Sequence, residues 1–172
     1  MAKRPDKWER TVGQDALRSY IYKREAWEYR YILRWWTDAA GVRQLLSELS
    51  RTFSVKEPAC VLQQRASNVT TGYYRPNRIR LTCPRDNDWY EYPAADRRCR
   101  EWLLAFKVRG GTYPVMSVLH EFAHHLCYVW WRNGQHGEHF ASVSEALYRW
   151  YGRKRRKNAE RRPWKRRRTE TK

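Results

Sequence analysis

Val118-Leu119-His120-Glu121-Phe122-Ala123-His124-His125-Leu126 is the stretch on which the reading of this chain turns. Val115, Leu119, Phe122, Leu126 and Val129 recur at helical spacing around it, which predicts a helix from about 114 to 131 with those residues facing the core. Pro114 suits its first turn, Gly110-Gly111 marks a loop ahead of it, and Asn133-Gly134 breaks it. His120 and His124 stand at i and i+4, one turn apart on one helix face, so both imidazoles can reach one zinc ion at roughly 2.0–2.1 Å. Glu121 points to the adjacent side. There it can take a proton from a zinc-bound water and later return it to a leaving amine.

All five histidines of the chain lie between positions 120 and 139. A catalytic zinc site needs a third protein ligand and keeps one place for water, whereas a structural site fills all four places. His136, His139, Glu138 and Glu145 are the candidates. His136 is favoured because the Asn133-Gly134 turn lets the chain reverse towards the metal, and Gly137 eases entry to the next helix. Glu145, on that helix, is the main rival. It could instead accept a hydrogen bond from a ligating imidazole. His125 is about 100° round the helix from His124 and reads as a packing or supporting residue.

Working outward, residues 14–36 read as a helix carrying Leu17, Ile21, Ala26, Tyr29, Ile32 and Trp36 near one side. Thr37 or Asp38 can cap a second helix ending near Phe53, with Val42, Leu45, Leu46 and Leu49 inward. Short strands are expected at 60–64, 70–74 and 78–82, with breaks at Gly72 and Pro76-Asn77, and another helix at 94–106. Residues 77–82 are the expected strand edge beside the metal helix, where an extended peptide could add by backbone hydrogen bonding. The last helix is expected at 138–151, burying Phe140, Val143, Leu147 and Trp150. Trp35, Trp36, Trp102 and Trp130 fall on helix faces and read as core. The expected division is an N-terminal helical segment at 1–36, a core at 37–151 and a polybasic, disordered tail at 152–172.

The net charge is +18. Residues 152–172 hold 12 Lys and Arg against Glu160 and Glu170, so +10 of it lies there. Such an excess points to a polyanion, most simply nucleic acid, DNA or RNA. Arg153, Lys154, Arg155, Arg156, Lys157, Lys165, Arg166, Arg167 and Arg168 are the candidate phosphate contacts, and Trp164 among them could stack on an unpaired base. No apolar run reaches membrane-span length, and the charged N-terminus lacks a signal core, so a cytoplasmic protein is expected. The four cysteines form no Cys-x-x-Cys pair and read as free thiols.

Two segments resemble the SprT-like metallopeptidases, the group that includes the Spartan-type proteases. Val118 to Leu126 resembles the family's metal helix, and His136-Gly137-Glu138-His139-Phe140 resembles its downstream H-G-x-x-F segment. The resemblance spans about residues 40–151. It implies His136 as third zinc ligand, Glu121 as catalytic acid/base, and an α+β, zincin-like core: a small antiparallel or mixed sheet packed on helices. A Cys-rich zinc ribbon after the core is lacking, and the basic tail stands in its place. The function so implied is zinc-dependent hydrolysis of peptide bonds in a protein or peptide substrate, near nucleic acid. The competing expectation is a nucleic-acid-binding protein with a structural or degenerate zinc site. A third keeps the hydrolytic zinc but turns it on a nucleic-acid phosphodiester.

Overall fold

The structure, a computed structural model, describes residues 17–64, 72–83, 89–91, 105–107 and 111–160. It is α+β. Its axis is α4 (Val115–Trp131), which begins after Pro114 and ends at Arg132 in the left-handed conformation. From Val115 to Cys127 only Ser117 escapes full burial. The helix is therefore wrapped on all sides, as an apolar helix must be, and has no single core-facing stripe. His120, Glu121, His124 and His125 are carried into the interior with it.

One side of α4 meets a three-stranded sheet of β2 (Ala59–Gln64), β3 (Gly72–Arg75) and β4 (Arg78–Cys83). The order is β2-β4-β3, with β2 parallel and β3 antiparallel to β4, so the sheet is mixed. Tyr74, Ile79, Leu81 and Cys83 enter the core, and Asn77 takes a positive φ of 60° in the turn between β3 and β4. The other sides of α4 meet α2 (Arg30–Leu33), α3 (Ala39–Thr52) and α5 (Glu138–Glu160). Asp38 caps α3 by accepting from the Gly41 amide at 2.8 Å, and Val42, Leu45, Leu46 and Leu49 are buried as the spacing predicts.

The expected helix over 14–36 is replaced by two shorter ones and a strand. α1 (Arg18–Trp27) and α2 are separated at Glu28-Tyr29, and β1 (Trp36–Thr37) pairs antiparallel with β7 (Tyr113–Pro114). Tertiary contacts override local propensity here. The Tyr29 ring is buried against Tyr148 at 4.9 Å, and the Trp35 carbonyl accepts from Val115 N at 2.9 Å, drawing the chain out of helix. Residues 17–36 contribute Ile21, Ile32 and Leu33 to the buried core.

Two further expectations change. Residues 105 and 106, expected at the end of a helix over 94–106, instead belong to β6 (Ala105–Lys107), which pairs antiparallel with β5 (Trp89–Glu91). Backbone pairing between segments so far apart is invisible to a local window. Residues 92–104, including Trp102 and Cys99, lie outside the described residues. α5 runs nine residues beyond Tyr151, through Gly152 to Glu160, so the first part of the expected tail is helical. Lys154 bonds Glu48 of α3 and Arg155 stacks on Trp35, which gives the extension tertiary anchors despite its lack of apolar periodicity. Nor is Trp35 core: it is 39% exposed, and Trp130 is 44% exposed.

Cys60, Cys83 and Cys127 are free thiols. Burial pushes the Cys127 thiol up to about 12. In native protein at pH 8, iodoacetamide should leave Cys127 unmodified and label it only after denaturation, as read by peptide mass spectrometry. Labelling of folded protein at that residue would contradict the central position of α4.

Candidate metal centre

His120 and His124 project from α4 to one side, and His136 comes back to them from the turn that joins α4 to α5. One ligand atom from each ring lies within 4.8 Å of the others, so the three histidines could hold a metal ion. The His120 and His136 Nε2 atoms are 3.1 Å apart. Two nitrogens bound tetrahedrally at 2.0–2.1 Å would be separated by about 3.3 Å, so the donor set fits a zinc-sized ion.

The ring orientations are set from behind. His120 Nδ1 lies 2.7 Å from Glu25 Oε1, and His124 Nδ1 lies 2.5 Å from the Gly134 carbonyl oxygen. A proton on each Nδ1, donated to those oxygens, leaves the Nε2 lone pairs directed towards the centre. Phe140 forms an apolar wall against all three rings, at 4.3 Å from His124, 4.7 Å from His136 and 5.0 Å from His120 between centroids. Burial, and then the neighbouring His120 and His136, hold the His124 pKa well below the ordinary histidine value, so this ring is neutral and able to ligate at pH 7. At His120 burial also pushes the pKa down, but the Glu25 carboxylate more than offsets it and the net shift is upward.

Glu25 is the residue that sequence reasoning missed. It is wholly buried on α1, touching His120 on one side and accepting from the Tyr148 hydroxyl of α5 on the other. The only signal in the sequence is its place one turn after Ile21, on the side of the helix that Ile21 carries inward, where a carboxylate is out of character. Glu145, the alternative for this role or for ligation, faces away: its oxygens bond Arg24 at 3.0 Å and Arg149 at 2.5 Å. Those guanidiniums, Arg24 first, hold its carboxyl below the usual range. Glu138 and His139 are exposed, and His139 stacks on Trp131 at 4.3 Å. His125 is buried under the sheet, with Nε2 2.8 Å from the Lys56 carbonyl, in keeping with a packing role.

Glu121 is also buried, and loss of solvent pushes its pKa up to about 7 despite the opposing pull of His120. Its carboxyl lies against the backbone of Gly72. A Cβ at position 72 would sit 2.2 Å from Glu121 Oε1, so only glycine lets β3 pass this close. Gly72 is therefore more than a strand break. β3 is the edge of the sheet beside α4, and Tyr74 stacks on His124 at 6.1 Å. β4 lies between β2 and β3, so residues 77–82 are not the edge they were expected to be.

A cleft of about 360 Å³ exposes the cluster, lined by Arg18, Tyr22, Gly72, Tyr73, Glu121 and Gln135 besides the histidines. The Tyr22 ring stacks on His120 at 5.3 Å with an 8° interplanar angle, and burial pushes its pKa up to about 12. Gln135 Oε1 is buried without a hydrogen-bond partner among the described residues, an acceptor that a polar ligand in the cleft would satisfy.

Of the candidate phosphate contacts, Arg153 to Lys157 lie on α5, and Lys154 is engaged by Glu48. Lys165, Arg166, Arg167, Arg168 and Trp164 lie outside the described residues. No helix among the described residues is long and apolar enough to cross a membrane.

Compared with protein-family models, curated proteins and solved structures, the chain matches none.

His136→Ala should abolish stoichiometric metal binding while Glu145→Ala keeps it, read by metal analysis of the purified proteins. Glu25→Gln should weaken zinc binding about 10–100-fold in a chelator competition, with the circular dichroism spectrum unchanged. Wild-type affinity in Glu25→Gln would remove Glu25 from the site.

Proposed function

We propose that this chain is a zinc-dependent metallopeptidase of SprT-like type, with a zincin-like core in which His120, His124 and His136 hold the metal. The observation that carries this reading is the convergence of three imidazoles on one point in an accessible cleft, with a buried carboxyl beside them and no fourth protein donor among the described residues. A structural zinc would call for that fourth donor.

Zinc held there would polarise water and bring its pKa from 15.7 towards about 7. Glu121 accepts the proton released and returns it to the leaving amine, a task suited to a carboxyl with a pKa of about 7. Gly72 keeps β3 against that carboxyl and so limits where it can move. The outer edge of β3 has no strand partner among the described residues, which would let an extended peptide add along it and bring its carbonyl over the metal. Arg18 and Tyr22 are two cleft residues able to donate to the developing oxyanion. Tyr22, with its raised pKa, stays protonated at neutral pH. The Tyr74 hydroxyl is already held by Asn77 N at 3.2 Å and His125 Nδ1 at 3.4 Å. The chain's charge of +18 supports a substrate bound to nucleic acid.

Casein, a DNA-bound protein and labelled oligonucleotides, each offered with and without chelator, separate the possible chemistries. Chelator-sensitive cleavage of protein is expected. Glu121→Gln should lower it by about 10²–10⁴-fold with metal content unchanged. Gly72→Ala should retain zinc yet lose about a hundredfold, because the carboxyl is displaced. Cleavage by Glu121→Gln at the wild-type rate would end the peptidase reading. So would cutting of the oligonucleotides alone. Salt-sensitive nucleic-acid binding that survives His120→Ala, without any cleavage, would favour a binding protein with a degenerate site.

A further inference from the structure

The metal cleft is not the largest cavity in the described structure. A cavity of about 720 Å³ lies where the end of α2 and the start of β1 meet the second half of α5. That volume falls within the range of small-ligand sites. Its position on α5 is some 17 residues beyond Glu138, or about 25 Å along the helix from the metal end. Tyr31, Trp35, Arg155, Arg156 and Asn158 line it, and among the described residues no acidic one does.

Three features set this cavity apart from an ordinary charged surface. Tyr31 and Trp35 are large aromatics left 42% and 39% exposed in a chain that buries many of its others. The Arg155 guanidinium lies 3.5 Å above the Trp35 ring, giving a flat cationic stack at the cavity wall. The wall is also anchored. Trp35 N donates to the Ile32 carbonyl and its own carbonyl accepts from Val115 N, both at 2.9 Å. Gly152 lets the Tyr31 hydroxyl close on α5, since a Cβ there would sit 2.7 Å from it.

We propose that this cavity is a base-stacking slot for single-stranded nucleic acid. An unpaired base lies flat against the Arg155–Trp35 stack or the Tyr31 ring, as bases do on aromatic and guanidinium planes. Arg156 at the cavity, with exposed Arg153 and Lys157 on the same helix, meets the flanking phosphates. Asn158 offers both a donor and an acceptor to a base edge. The acidic complement required is a polyanion whose charges are spaced by π-faces, and a duplex keeps those faces inside its own stack. The slot uses no residue of the metal centre and stands or falls separately from the peptidase reading.

Fluorescence anisotropy of the full chain with labelled twelve-nucleotide oligodeoxythymidine and oligouridine strands, and with a twelve-base-pair duplex, tests this. Trp35→Leu and Tyr31→Leu should each loosen single-strand binding about tenfold and leave duplex binding within twofold, because both variants keep every charge. Trp35→Phe should recover most of the loss, which separates stacking from a folding defect. Unchanged single-strand affinity in both leucine variants overturns the slot. So does an equal loss on single strand and duplex, or a loss in Trp35→Phe as deep as in Trp35→Leu.

Discussion

A carboxylate taken wholly out of water is costly unless charge and hydrogen bonds meet it, and Glu25 is such a group. Its partners come from two other helices, His120 of α4 and Tyr148 of α5. The requirement that this one side chain be satisfied therefore ties α1, α4 and α5 together at the level of the histidine cluster. Arg24, the residue before it, binds Glu145 of α5 on the outside of the same junction. The histidine cluster, which could hold a metal ion, thus sits where a buried carboxyl is paired across three helices.

The same interior location decides the chemistry. Water is largely excluded from His124 and Glu121, which lowers the proton affinity of the imidazole and raises that of the carboxyl. A neutral ring suited to ligation and a carboxyl poised near neutrality both follow from burial of one polar turn of an otherwise apolar helix. Gly72 completes the arrangement by removing a side chain where the edge strand would collide with Glu121. The cleft then lies between strand, helix and returning turn, with Phe140 packed against the three imidazoles.

The second end of α5 follows a different logic. There the chain places positive charge on exposed helix and exposed rings, and the two are brought into register only because residues 34–37 leave helical geometry and lean on α4. Trp35 illustrates how a helix-face argument fails. The helix that would carry it ends two residues before it, at Leu33. Once the helix stops, the ring is free to face solvent and Arg155.

Much was legible beforehand because it is local. The four-residue spacing of His120 and His124, the cap at Asp38, the apolar stripe of α3 and the turn at Pro76-Asn77 each depend on neighbours within a turn or two of chain. The return of His136 was legible too, from the glycine-marked reversal and from the resemblance of its segment to a known motif. What tertiary structure alone decided was which distant groups meet: Glu25 behind His120, Gly72 against Glu121, β3 as the sheet's edge, and the basic stretch after Gly152 held as helix by Glu48 and Trp35. Those pairings join residues separated by scores of positions, and no local periodicity or propensity encodes them. They are fixed only when the chain has folded and each buried charge and exposed ring must find a partner in three dimensions.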